Sequence, residues 1–220
     1  MGEAELIDGQ NLLIIHSVIF IYGEAASAEL AQKISDEIMH FWNEPGANVM
    51  VKKKNCRIQF DVRGVFAPSL QPESVWYNDD PRNNYFRIEE FANGNISFVD
   101  GLGCNTGYFK LDNLLQTGTT AAHEFGHTLG LPHPENLDIR GAGVPGIMYP
   151  RGTICDPVYQ YNAAASPGGP GGTMDPQYRR VRPVDISDLK LEKLSFSTKG
   201  KATLGGFSSL YHEKHRPPVS

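Results

Sequence analysis

The stretch His123-Glu124-Phe125-Gly126-His127-Thr128-Leu129-Gly130-Leu131-Pro132-His133 reads H-E-x-x-H-x-x-G-x-x-H, and it decides how the rest of the chain is read. His123 and His127 are i and i+4, so on a helix they project from one face about one turn apart. Two imidazoles so placed can reach one metal ion at about 2.0–2.1 Å. Glu124 lies one residue further round. It is too short to ligate the same ion comfortably, but it can hold a water that the ion also holds. Gly130 enters the left-handed conformation without steric cost and ends the helix. Leu131-Pro132 then carries His133 back as a third ligand. Three histidines leave a fourth tetrahedral position open, which is the donor set of a catalytic rather than a structural Zn2+. The competing reading, a histidine-rich amphipathic helix with Glu124 solvated, is serious for a bare H-E-x-x-H and weak for all five fixed positions together.

Further on, Gly146-Ile147-Met148-Tyr149-Pro150 follows the histidines, with Met148 fifteen residues after His133. Alone, Met148 would read as a core filler. With the long motif before it, the segment resembles the Met-turn of the metzincin clan of zinc metallopeptidases. The order Ile-Met-Tyr-Pro is similar to matrixins, whereas Pro134 directly after the third histidine is similar to serralysins. The resemblance covers residues 117–150 and fits no single metzincin family throughout. It implies a zinc endopeptidase holding one Zn2+ on His123, His127 and His133, with Glu124 as general base. Met148 and Gly130 would be structural. Tyr149 and Pro150 would wall the pocket for the side chain after the scissile bond. An extended peptide would add to a strand edge, for which Gly107–Leu111 is the candidate. Serralysins carry a tyrosine two residues after the methionine, where this chain has Pro150. Three histidines plus water, with no tyrosine ligand, are therefore expected.

Composition sets the outer bounds. A chain of 220 residues, 40% hydrophobic and 20% charged, fits one globular domain with a real core. A net charge of −5 gives no electrostatic argument for nucleic acid. No segment reaches the ~18 apolar residues of a membrane span. Asn11 to Tyr22 is apolar but has neither a basic region before it nor a small-residue cleavage site, so it does not read as a signal peptide. A monomer acting on protein or peptide substrates is expected, either secreted or delivered outside the producing cell. The alternative function is a catalytically weak metal-binding module acting through a protein partner; the intact Glu124 argues against it. Cys56, Cys104 and Cys155 form no C-x-x-C pair, so a structural zinc knuckle is not expected. Cys104 and Cys155 lie in Gly-rich segments and could pair; the alternative is three reduced thiols.

Hydrophobic periodicity supplies the architecture. Residues 11–22 read as a buried strand, and 24–42 as an amphipathic helix through Leu30, Ile34, Ile38 and Phe41. Residues 49–53 and 56–65 read as strands, the second alternating through Cys56, Ile58, Phe60 and Val62. Residues 67–84 read as a loop, and 85–91, 96–99 and 108–111 as short strands. The histidine helix should begin near Thr117–Thr120, where threonines can cap it. Residues 183–194 read as a helix, 163–173 as a Gly/Pro-rich loop, and His212 and His215 as part of a solvated tail. The result is an α/β (α+β) class: a mixed twisted sheet with a backing helix, an active-site helix and an irregular C-terminal part. Residues 1–220 form one catalytic domain in this reading, divided into an upper subdomain at 1–133 and a lower one at 134–220.

Overall fold

The structure, a computed structural model, describes residues 1–116 and 118–217. Its centre is one eight-stranded mixed sheet: β1 (Gly2–Ile7), β2 (Leu12–Tyr22), β3 (Asn48–Val51), β4 (Lys54–Phe66), β5 (Asn83–Glu89), β6 (Phe98–Val99), β7 (Thr106–Lys110) and β8 (Lys201–Leu204). The main path runs β3-β4-β2-β5-β7-β6, with β1 and β8 attached beside β2. The apolar run 11–22 becomes the central strand. Its two neighbours, β4 and β5, are both parallel to it, and β1 pairs antiparallel with its first half. Leu13, Ile15, Ile19 and Ile21 alternate onto the buried face, as a period of two requires.

The α-helices among the described residues are α1 (Ala28–Asn43), α2 (Pro72–Trp76), α3 (Leu111–Gln116), α4 (Thr120–Thr128) and α5 (Pro183–Asp188). The longest, α1, starts at Ser27, whose side chain accepts from the Leu30 amide at 3.1 Å. It buries Leu30, Ile34, Ile38 and Trp42 against the sheet. Contact is close: a Cβ on Gly64 of β4 would stand 2.0 Å from the Ala31 carbonyl oxygen. Helix α4, which carries His123 and His127, lies in the same core, joined to α1 by Trp42, whose indole N–H donates to the Ala122 carbonyl at 3.0 Å.

Four sequence expectations change and one open alternative closes; the first change is that residues 67–84 are not all loop, because Pro72–Trp76 forms α2. Residues 49–53 do not run as one strand, because Lys52 (φ 47) and Lys53 (φ 65) form a two-residue hairpin loop into β4. The C-terminal helix stops at Asp188, because Lys190 turns left-handed (φ 51) before a short 3-10 turn at Leu191–Lys193. No disulfide forms; all three cysteines are free, with Cys56 and Cys155 buried. The segment carrying His212 and His215 is not a solvated tail. The His212 ring pairs with Asp100 at 2.9 Å, His215 stacks on Tyr108 at 4.1 Å, and Tyr211 stacks on Tyr22 at 5.1 Å. Aromatic faces hidden from the sequence pattern hold this segment down. His16 sits between Glu5 and Asp61, at 3.0 and 2.9 Å, while His40 is exposed.

Candidate metal centre and its cleft

Helix α4 delivers His123 and His127 to one face, and the chain then reverses at Gly130 (φ 98). The Gly130 amide donates to the His127 carbonyl and the Leu131 amide to the Gly126 carbonyl, both at 3.0 Å. This pair of bonds is a Schellman motif, closed by a glycine that reaches positive φ without a Cβ clash. It brings His133 back over the helix. His133 Nε2 stands 3.1 Å from Nε2 of His123 and 3.1 Å from Nε2 of His127. The three ligand atoms lie within 4.8 Å of one another.

The outer nitrogens are already committed. His123 Nδ1 donates to the Ile147 carbonyl and His127 Nδ1 to the Leu131 carbonyl, each at 2.7 Å. These bonds fix the tautomers and leave the Nε2 lone pairs pointing at a common centre. Burial lowers the basicity of all three rings, with Arg179 adding to the effect; His127 falls to about 4. Neutral rings with free lone pairs are what a metal needs. A tetrahedral ion with bonds of about 2.0–2.1 Å separates its ligand nitrogens by roughly 3.3–3.4 Å, close to the 3.1 Å seen here.

Glu124 lies beside this centre, 5% exposed. Its Oε2 is buried with no hydrogen-bond partner among the described residues. Burial pushes its carboxyl up to about 8, against the pull of Arg179. An unpaired buried carboxylate oxygen is costly and signals a missing partner such as a cation or water. The residues therefore fit a metal ion held by three histidines, with a carboxylate alongside.

Met148 lies beneath the helix, 3% exposed. A Cβ on Gly126 would stand 2.3 Å from Met148 Sδ and 3.2 Å from Trp42 Cζ2. The methionine thus fills the notch that the glycine leaves. Pro150 lines the cleft over the histidines, whereas Tyr149 is not among its lining residues and packs with Ile139, Cys155 and Met174. Gly107–Leu111 is not the free edge. Its strand, β7, has β5 on one side and β6 on the other, and β6 ends the sheet and lines the cleft. The strand expected at 96–99 is this edge, shortened to Phe98–Val99.

Other site residues have no local signature. Thr117 lies outside the described residues, and Thr119 precedes α4 without capping it through its side chain. Its hydroxyl donates to the Pro176 carbonyl at 2.7 Å and accepts from Arg179. The helix N-terminus is instead served by Glu37 of α1, which accepts from the Ala122 amide at 3.1 Å and also from Ala121. Arg179 is 3% exposed; it bonds Thr119 Oγ1 through Nε and Nη2 and the Tyr149 carbonyl through Nη1. Only Arg151, directly after Pro150, could have been noticed from its position in the chain.

No family model matches the chain, and no curated protein matches it. A solved structure described as "Structure of myroilysin" aligns with 16% identity and a TM-score of 0.29, covering 65% of this chain and 60% of that one. The chain therefore spans about three fifths of the length of that structure. A likeness this slight decides nothing about the site. The chain itself has a mixed α/β fold consistent with a metzincin-like α+β layout, and a three-histidine cluster able to hold a metal ion. No helix among the described residues is long and apolar enough to cross a membrane.

Proposed function

We propose that the chain is a zinc-dependent endopeptidase of metzincin type. The observation that carries this reading is the convergence of three imidazole Nε2 atoms beside a buried, unpartnered carboxylate, inside a cleft of about 480 Å³. His123, His127 and His133 would hold the ion. An ion held there would supply Lewis-acid chemistry, activating a water and polarising the scissile carbonyl. Glu124 takes the proton of the attacking water and later gives it to the leaving amine. The outer edge of β6 offers main-chain groups to an extended substrate. Gly130 shapes the turn that returns His133, Met148 supports the helix, and Pro150 walls the pocket; in this reading Tyr149 braces that wall from behind.

The same reading takes residues 1–133 and 134–220 as upper and lower subdomains of one monomeric catalytic unit, secreted or delivered outside the producing cell. The test is Glu124→Ala. Metal content should stay near one equivalent, while peptide turnover falls by about 10²–10⁴-fold. Turnover close to wild type would sink the mechanism. A biological effect that survives the variant would favour the metal-binding module instead.

A further inference from the structure

The cleft is not electrically neutral. Moving up α4 from His127 through His123 and Glu124 toward Thr120, the lining changes from histidine to Asn113, Thr120, Arg151 and Arg179. Glu124 is the only carboxylate among the lining residues, against two guanidinium groups. Arg179 carries the larger burden. It is buried, and its three hydrogen bonds go to neutral oxygens, on Thr119 and Tyr149. Two of its five N–H donors remain unused in those bonds. Arg151 donates to Asn113 Oδ1 at 3.1 Å. Neither arginine forms an ion pair with a carboxylate among the described residues. Glu124 and Glu37 act on Arg179 through space, but no hydrogen-bonded ion pair among the described residues ties it to either, so donors of this buried cation remain available at the end of the cleft.

The position along the cleft follows from the chemistry already assigned. Glu124 passes its proton to the leaving amine, so the residue on the amine side of the cut bond lies beside Glu124. The arginine end is reached by continuing past it. We propose that this end of the cleft is a carboxylate pocket, and that the enzyme cuts before a residue presenting a carboxylate to Arg151 and Arg179. The carboxylate is either the side chain of an aspartate or glutamate directly after the cut bond or the terminal carboxylate of a short leaving fragment. Guanidinium groups recognise it through charge-assisted hydrogen bonds, while Ile96, Phe98 and Val99 cover its aliphatic stem from the β6 side. This specificity rests on the endopeptidase reading, and the test keeps the two apart.

Four peptides of one frame, with Asp, Asn, Glu or Gln after the cut bond, are given to the metal-loaded enzyme with free and with amidated C-termini. Acidic peptides should be cut at least about tenfold faster than their amides, as expected when a buried polar site loses its partner. Faster cutting of the Asp and Glu peptides than of their Asn and Gln partners in both terminal forms assigns the pocket to a side chain; faster cutting of free than of amidated peptides, whatever the residue, assigns it to the chain terminus. In Arg151→Gln the acid-to-amide ratio should fall to less than half. Equal losses on both members of each pair, or a wild type indifferent to both the side-chain and the terminal carboxylate, would overturn the pocket while leaving the peptidase intact. Equilibrium binding of the same peptides, labelled, to Glu124→Gln gives a readout without turnover. Tighter binding of the acidic members upholds the pocket even if no peptide is cut, an outcome that would sink only the peptidase reading. Equal binding overturns the pocket.

Discussion

The two ends of α4 are held in opposite ways. At the C-terminus everything is local: Gly130 closes the Schellman turn, Leu131 supplies the carbonyl that orients His127, and His133 follows three residues after the glycine. At the N-terminus nothing decisive is local. The threonine before the helix turns away to Pro176 and Arg179, and the exposed amides are met by Glu37, more than eighty residues earlier in the chain. One end gathers the three histidines able to hold a metal ion, and shared ligation would tolerate errors of only fractions of an ångström. The other holds the helix in the fold, where any acceptor of suitable reach serves. Geometry at the C-terminus should therefore govern metal affinity, and anchoring at the N-terminus should govern stability.

The largest separation between the ends is expected at Gly130. Its φ of 98 is a conformation that side chains rarely adopt, although a Cβ there would have open space around it. Gly130→Ala should thus strain the turn rather than collide with a neighbour. Movement of that turn shifts Leu131 and with it the partner of His127 Nδ1. Metal affinity should fall by about 10–100-fold, the usual cost of disturbing a ligand's supporting hydrogen bond. Competitive chelator titration measures it. Unchanged affinity would mean the turn tolerates the side chain and the local argument is wrong.

Between the two ends, Gly126 tests how tightly the Met148 shelf fits. In Gly126→Ala the new methyl meets Met148 Sδ and the Trp42 ring. Overpacking of this kind costs about 1–3 kcal/mol, offset in part by the better helix propensity of alanine. Chemical denaturation should show a net loss, reduced when Met148→Ala is added to open the shelf. Full additivity of the two changes would show that they do not touch.

At the N-terminal end, Glu37→Ala removes the acceptor for two helix amides. Loss of a cap typically costs about 0.5–2 kcal/mol. Burial raises the carboxyl of Glu37, so its charged form is itself disfavoured there. The folded protein then holds this proton more tightly than the unfolded chain. From this group, stability declines as pH rises through the window between the ordinary and the raised pKa, and is level above it. That slope should disappear in Glu37→Ala, while metal affinity stays within about threefold of wild type. A tenfold loss of metal would erase the distinction between the ends.

The same division explains what could be read in advance. His123, His127, Gly130 and His133 form a pattern of fixed spacing because helix geometry and one turn relate them to each other. The central strand and α1 were legible because their periodicities are long. The arginines, Glu37 and the partner of Met148 were not, because their roles depend on segments that meet only in the folded chain. The β6 edge failed for a related reason. A strand at 96–99 is legible in the sequence, but which of it and β7 lies outermost depends on a pairing order that only the folded chain shows. The C-terminal segment looked solvated because its histidines and tyrosine find aromatic partners on β2, β6 and β7, none of them near in sequence.

The smallest effect is expected at Tyr149, which lies between the local and the distant parts of the site. Its amide bonds back to Gly146 at 3.2 Å within the turn, and its carbonyl accepts from Arg179 at 3.1 Å. Both contacts are main-chain contacts and survive a change of side chain. The ring packs against Ile139, Cys155 and Met174, away from the residues that line the cleft. Tyr149→Phe keeps the ring and removes only the hydroxyl. Losing a donor to a developing oxyanion costs about 10²–10³ in kcat, whereas losing a hydroxyl outside the cleft should cost less than about tenfold. Metal content should be unchanged. A loss of a hundredfold or more with metal retained would mean that the ring swings into the cleft during turnover. Tyr149 would then belong with the catalytic groups rather than with the wall behind Pro150. Tyr161, whose phenol is shifted upward first by burial, is the control: it lies further along the same segment, and its phenylalanine variant should be equally mild.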